Sequence, residues 1–325
     1  MKIAIIGAGA LGSLVGAYLS TQHQVLLYGR REHVEAVNKD GLHTSGIRGE
    51  MVYDLPATTD LRGQHFHLGI VGVKSYDTER VLADLERQEA SFDYIASIQN
   101  GLKDDVLIQR FGIERVLGCV VDEAAKMVAP GRVCYTNNGC SYFGTFTSEN
   151  ERGIKTAVAK SLSETLQHSG LTANVAENVD TITWYKFMGA NTVCVSGALD
   201  LNAAQKFTNP YARSLFVRTI DEILAVANAE GIPLTPHPML SQVFLAEAAG
   251  RKELIDTLTR KHEQSTSEPH VPSLVQDLRK RKAITEADDT MGILLKHAAT
   301  HGIRIPTIET CYQIIKAKEF RNHSK

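Results

Sequence analysis

The chain opens on MKIAIIGAGALGSLVGAYLS, and the glycines at 7, 9 and 12 constrain it more than any other feature. Ile3 to Ile6 form a short apolar run, the glycines turn the chain, and Ala10 and Leu11 open a helical pattern. Val25-Leu26-Leu27-Tyr28 then reads as a second strand. A Gly-x-Gly-x-x-Gly with a strand before it and a helix after it is the mark of a dinucleotide-binding βαβ unit. Gly7 permits the tight turn, Gly9 lets backbone approach a pyrophosphate, and Gly12 lets helix and strand pack closely. The helix start adds open N–H groups and the positive end of the helix dipole. A purely structural glycine turn is the alternative, and the strand–turn–helix order weighs against it.

The end of the second strand separates the two nicotinamide cofactors. An acidic residue there would hydrogen-bond the ribose 2′-hydroxyl of NAD. This chain instead has Tyr28 and Gly29 followed by Arg30 and Arg31. Guanidinium forks pair bidentately with phosphate oxygens, so NADP(H) is the expected cofactor; a pair of exposed surface arginines is the alternative.

Further elements extend the α/β pattern. His67 to Val73 reads as a strand running into Lys74, and Tyr94 to Ile98 as another running into Gln99-Asn100-Gly101. Open α/β sheets bind ligands past the carboxyl ends of their strands, which makes Lys74 and Asn100 candidates for cofactor or substrate contact. Leu117 to Val121, Val133 to Tyr135 and Ser141 to Phe143 read as further strands, some of them antiparallel. With 325 residues, two domains are the default. The fold expected is α/β: a Rossmann-type, doubly wound sheet over residues 1–178, then an all-helical domain over 179–325. Helical spacing supports this over Ala212 to Glu230, Leu274 to Arg281, Asp289 to Thr300 and Thr307 to Phe320. The polar, proline-punctuated stretch Gln264 to Pro272 reads as a loop bordering a site.

Composition removes several function classes. A formal charge of −2 gives no reason to expect nucleic acid or an anionic membrane as a partner. The basic run Arg279 to Lys282 reads as a solvated helix face. Five scattered cysteines without CxxC spacing point to reduced thiols rather than a disulfide framework or a zinc site. No apolar stretch reaches the ~18 residues of a membrane span, and a cytoplasmic location is expected. Apolar helical faces in the second half are compatible with a homodimer.

One cation stands apart. Residues 181–199, TITWYKFMGANTVCVSGAL, carry no charge except Lys186, set between Trp184-Tyr185 and Phe187. Burying an unpartnered ammonium costs several kcal/mol, so such a lysine needs a purpose. Either it is an amphipathic stem whose amine reaches water, or it does chemistry.

Taken together, these residues resemble the ketopantoate reductases (2-dehydropantoate 2-reductases) over nearly the whole chain. The likeness is carried by GAGALG at 7–12, Arg30, Lys74, QNG at 99–101 and FGIERVLG at 111–118. PGRV at 130–133, WYK at 184–186, PSLVQDL at 272–278 and TEADDTMG at 285–292 complete it. The resemblance implies a Rossmann-type domain and a helical domain with the site in a cleft between them. It places a catalytic lysine on Lys186 and a substrate-binding glutamate on Glu286. It puts further substrate contacts on Asn100 and Ser273, and cofactor-phosphate contacts on the glycine loop, Arg30 and Lys74. Where the family commonly has asparagine after the lysine and before the glycine at 292, this chain has Ala190, Cys194 and Met291. Asn191, one place along, reaches the same region only if the helix is locally irregular, since on a regular helix it points ~100° away.

The chemistry expected is reduction of a 2-oxo acid, ketopantoate by default, with Lys186 donating the proton as charge builds on the carbonyl oxygen. Glu286 would hold the substrate hydroxyl and the lysine; for Glu286 alone, an acid at a helix N-terminus is the structural alternative. A different 2-oxo or hydroxy acid is the second reading, motivated by Ala190, Cys194 and Met291. A nicotinamide-binding regulator without turnover is the third.

Overall fold

In the computed structural model, residues 1–146, 152–265 and 269–323 are described; of the expected loop at 264–272, residues 266–268 lie outside them. The chain forms two compact units. One comprises Met1–Gln99 and Lys103–Thr183, the other Asn100–Leu102 and Trp184–Lys325.

Among the described residues, the first unit holds twelve strands in two sheets: β1 (Lys2–Ile6), β2 (Gln24–Tyr28), β3 (Leu42–Gly46), β4 (Met51–Tyr53), β5 (Ala57–Thr58), β6 (His65–Val71), β7 (Ser91–Ser97), β8 (Val116–Val120), β9 (Ala124–Ala129), β10 (Arg132–Asn137), β11 (Cys140–Gly144) and β12 (Thr172–Ala176). The main sheet has the order β12-β11-β8-β7-β6-β1-β2-β5. Every pairing in it is parallel except β11 with β8. The second sheet, β4-β3-β10-β9, joins β3 and β10 in parallel and is otherwise antiparallel. The stretch Val133 to Tyr135 therefore belongs to a separate small sheet and not to the nucleotide sheet.

The helices between strands are α1 (Ala10–Leu19), α2 (Arg31–Asp40), α3 (Thr78–Arg87), α4 (Asp104–Phe111) and α5 (Arg152–His168). α1 touches β1 and β2 on one side and β3, β9 and β10 on the other. Sandwiched in this way, it is buried at every residue from Gly12 to Leu19. α3 shows the ordinary alternative, with only Thr78, Val81, Leu82 and Leu85 buried on one stripe. Edge-to-face contacts of Tyr18 with Tyr53 and Tyr135 fasten α1 to the small sheet.

The second unit is helical. The division between units falls inside α6 (Val179–Asn191), at 183/184 where the sequence reading divides the chain at 178/179. There follow α7 (Cys194–Leu199), α8 (Ala203–Thr208), α9 (Pro210–Ala229), α10 (Gln242–Leu245), α11 (Ala248–Gln264), α12 (Ser273–Arg279), α13 (Ile293–Thr300) and α14 (Pro306–His323). α9 starts sharply because Asn209 accepts from the N–H groups of Tyr211 and Ala212, with Pro210 at its first position. It buries Ala212, Phe216, Thr219, Ile220, Ile223, Val226 and Ala227. Trp184, Tyr185, Phe187, Met188, Cys194 and Met291 join that core. Met291, one of the departures from the family pattern, is fully buried packing. All five cysteines are free thiols.

Candidate active site

The phosphate turn is assembled by close approach. Gly7 takes φ +103°, and a Cβ there would lie 2.5 Å from Val73 Cγ1, so β1 can turn against the end of β6 only at glycine. A Cβ on Gly12 would lie 2.4 Å from the Gly7 carbonyl oxygen. The N–H groups of Gly7 and Ala8 both donate to Tyr28 O at 2.9 Å, which sets the end of β2 beside the turn. Gly9 caps α1 without any side-chain hydrogen bond, and nothing lies within 4 Å of where its Cβ would be. That leaves an open anion cradle over the first turn of α1, at Ala10, Leu11 and Gly12. It fits a pyrophosphate.

Arg30 directly follows the strand end that packs on this turn; it caps α2 and is exposed, as is Arg31. Lys74 caps the short 3-10 turn Ser75–Asp77, next to the Val73 that backs Gly7. A residue that the motif alone did not single out ties these ends together. Gln99 is 6% exposed and donates to Val73 O at 2.9 Å and Thr78 Oγ1 at 2.7 Å. Ser97 Oγ in turn donates to Gln99 Oε1 at 2.9 Å.

Within the second unit, Lys186 is half-buried on α6 while residues 182–185, 187 and 188 are buried. Trp184 packs edge to face on Phe187 and on His297 of α13, which brings α6 against α13. Tyr185 donates through its hydroxyl to Pro233 O. Both rings that precede the lysine are therefore committed to core contacts.

Glu286 is half-buried in the turn that leads into a π-helical segment, Asp288–Gly292. Its carbonyl receives Thr290 N–H at 3.1 Å and Thr290 Oγ1 at 2.9 Å, and the Gly292 N–H reaches back to Ala287 O at 3.0 Å. That i→i−5 bond is the widened turn, a feature frequent at functional sites. The sequence pattern, which ran a regular helix from Asp289, gave no sign of it. Asn100-Gly101-Leu102 meets the same segment: Gly101 takes φ +91°, and a Cβ on it would lie 2.6 Å from Asp289 O. Asn100 and the Glu286 turn are thus brought together. Ser273 is exposed at the first position of α12, whose Leu274 packs against Gly197 of α7.

Asn191 stands differently from the others. It is fully buried at the last position of α6, donates to Phe187 O at 2.9 Å, and leaves Oδ1 without a hydrogen bond. The helix is regular through it and breaks only at 192–193.

Sequence reasoning also passed over a second lysine among rings. Lys206 of α8 is 8% exposed, with its ammonium 4.3 Å from the Phe216 ring centroid and 4.9 Å from that of Phe207. Burial pulls its pKa down to about 8. The adjacent Phe207 was the available signal.

With this geometry in view, comparison with known proteins is direct. Residues 3–148 match the family Ketopantoate reductase PanE/ApbA, and residues 178–319 match Ketopantoate reductase PanE/ApbA C terminal. The 2-dehydropantoate 2-reductase of Pyrococcus horikoshii is 29% identical over 324 residues, covering 98% of each chain. That of Aquifex aeolicus is 26% identical, covering 99% of this chain and 98% of its own. The ternary structure of D-mandelate dehydrogenase with NADH and anilino(oxo)acetate aligns with a TM-score of 0.80 at 25% identity, covering 99% of this chain and all of that one (100%). A PanE/ApbA family ketopantoate reductase from Ralstonia eutropha JMP134 shares the fold, with a TM-score of 0.79 at 24% identity over 99% of this chain and 100% of that one.

Proposed function

This chain belongs to the ketopantoate reductase family, oxidoreductases acting on CH–OH groups, and we propose that it reduces 2-dehydropantoate to pantoate with NADPH. The observation that carries this reading is the match of both family parts, in order, across residues 3–148 and 178–319.

In this reading the cradle at Gly7, Gly9, Ala10, Leu11 and Gly12 holds the pyrophosphate, and Arg30 and Lys74 hold the 2′-phosphate and its neighbours. Bound there, the cofactor would supply a hydride for the ketone carbon. Lys186 points its ammonium at the carbonyl oxygen, stabilises the charge that builds on it, and gives up the proton that completes the hydroxyl. Glu286 accepts from the substrate hydroxyl and from Lys186, keeping the ammonium charged and aimed. Asn100 and Ser273 hydrogen-bond the substrate carboxylate and hydroxyl. Asn191 is given no substrate contact in this reading, because α6 is regular through it and its side chain is fully buried. A cytoplasmic location and a homodimer belong to the same reading. The first rests on the free thiols, the second on the exposed apolar Tyr211 and Ile314 of the helical unit.

Purified protein given NADPH and 2-dehydropantoate should oxidise the coenzyme, and NADH should serve less well. No oxidation with either coenzyme would remove the substrate assignment. A second reading, reduction of a more apolar 2-oxo acid, is favoured by Ala190, the half-buried one of the three departures, and by the likeness to a D-mandelate dehydrogenase; Cys194 and Met291 are fully buried core. A panel of 2-oxo acids that includes an aryl one separates the two by their kcat/KM.

A further inference from the structure

The segment that carries Glu286 is held by one stripe of α14. Tyr312, Lys316 and Glu319 lie at i, i+4 and i+7 and so share a helix face. Each meets the segment. Tyr312 donates its hydroxyl to Asp288 Oδ1 at 2.6 Å, and Lys316 reaches Asp288 Oδ2 at 2.8 Å. Glu319, 3% exposed, accepts from the Thr285 N–H at 2.9 Å and from the Thr285 hydroxyl at 2.5 Å, both on Oε1. Its Oε2 lies 2.5 Å from the Lys316 ammonium, as an ion contact rather than an aligned hydrogen bond. Thr285 Oγ1 also accepts from Ala287 N–H at 3.2 Å, so the residues on both sides of Glu286 are tied to the same carboxylate.

The stripe is itself anchored. Glu222 of α9 accepts from the first N–H groups of α14, Thr307 at 2.8 Å and Ile308 at 2.9 Å. Near the other end, Lys318 donates to Gly197 O and Ala198 O of α7, each at 2.8 Å. A buried carboxylate is tolerated when it is paired and hydrogen-bonded, and Glu319, with Oε1 doubly hydrogen-bonded and Oε2 against the Lys316 ammonium, holds the segment in one geometry. Nothing about a helix packed by its apolar face requires it, because α14 already buries Ile308, Cys311 and Ile315.

We propose that Glu319 is a positioning residue for the reduction: through Thr285 it sets the aim of Glu286, and through the 285–292 segment it sets the floor on which the Asn100 turn rests. This rests on the role given to Glu286 above. Misplacement of a catalytic group by about 1 Å can cost on the order of a hundredfold in rate, so Glu319→Ala should lower kcat/KM for 2-dehydropantoate by roughly tenfold to a hundredfold. KM for that substrate should rise while KM for NADPH holds. Simple loss of folded protein would lower kcat alone. Residues acting as one unit are non-additive, so in a Glu286→Ala background the same change should cost less than about twofold.

Should Glu319→Ala not fold, Thr285→Val removes only the hydroxyl and should give the same KM shift in milder form, with Thr285→Ser restoring it. A Glu286→Ala enzyme at wild-type rate overturns the role of Glu286 and this proposal with it. A slow Glu286→Ala enzyme beside unaffected Glu319 and Thr285 variants, or fully additive effects, overturns the positioning role alone.

Discussion

At the glycine turn the groups that matter are main-chain N–H groups, exposed because three positions lack a Cβ. In the helical unit the groups proposed for the reaction are side chains, Lys186, Glu286 and Asn100, each mounted on an element that is fixed by something else. The first arrangement depends on Gly7 and Gly12, where a Cβ would strike Val73 and the Gly7 carbonyl oxygen. The second tolerates backbone variation, such as a π turn, and depends on a few polar atoms. Two kinds of polar work in one chain therefore fail in different ways when mutated.

The sharpest break of that comparison is Lys186→Ala. A positioned general acid contributes ~10²–10⁴ in rate, so kcat/KM should fall by about that factor while NADPH affinity, titrated by fluorescence, stays unchanged. A regulator without turnover would keep both its cofactor binding and its biological output in this variant. Lys206 sharpens the contrast, since it is a deeper cation with no chemistry assigned to it. Burial lowers its pKa from 10.5 to about 8, so the folded protein gives up that proton before the unfolded chain does. Stability then rises with pH between about 8 and the unfolded value of ~10.4, and below that window the burial cost stands in full. Lys206→Met should be more stable at neutral pH, by up to about 3 kcal/mol, the free energy equivalent of that pKa change. It should also show no such rise, as thermal melts across pH would record. A destabilised variant would mean that the ring contacts outweigh the desolvation.

In the first unit, Gly12→Ala sets a Cβ against the Gly7 carbonyl and should cost roughly 1–3 kcal/mol of stability, with NADPH affinity falling alongside. Retained affinity would mean that the turn is not built by close approach. Arg30→Ala should raise KM for NADPH about tenfold to a hundredfold, the worth of hydrogen bonds to a charged group, and leave KM for NADH within about twofold. Equal effects on both coenzymes would remove the 2′-phosphate from the picture.

The smallest effect is expected at Glu230, where one carboxylate oxygen meets His297 Nδ1 at 2.6 Å and His301 Nε2 at 2.9 Å. Burial pushes this acid up, yet the two histidine hydrogen bonds outweigh it and hold the carboxyl below its usual range. A depressed acid stabilises the fold above its unfolded pKa of ~4.3, and the contribution is lost as pH falls through the lower folded value. Below roughly pH 4.3, wild type should therefore lose Tm more steeply than Glu230→Gln. Parallel curves would dismiss the clamp.

What the sequence made legible follows the same division. β1, the glycine turn and α1 were readable because their cause is local: a continuous apolar run, then residues that alone permit the turn. α9 and α14 were readable from their apolar spacing. β3, β4 and β9 were not, since each is partly exposed, and β3 finds its partner β10 far along the chain. α11, with charges throughout RKELIDTLTRKHEQ, shows little apolar signal over its length. In the candidate site, Lys186 stood out by type and surroundings, whereas Glu286 came only from the family resemblance. The Glu319–Thr285 bond joins residues 34 apart, which no local pattern encodes.

α1 has one more consequence. Beyond its open first turn, a helix walled in by two sheets and α5 has no rim from which to fray, so those inner amides can exchange with deuterium only when a packed layer lifts away. Its slowest-exchanging positions should report the global opening of the first unit, and the anion cradle at its head should outlast any looser, partly opened form of that unit.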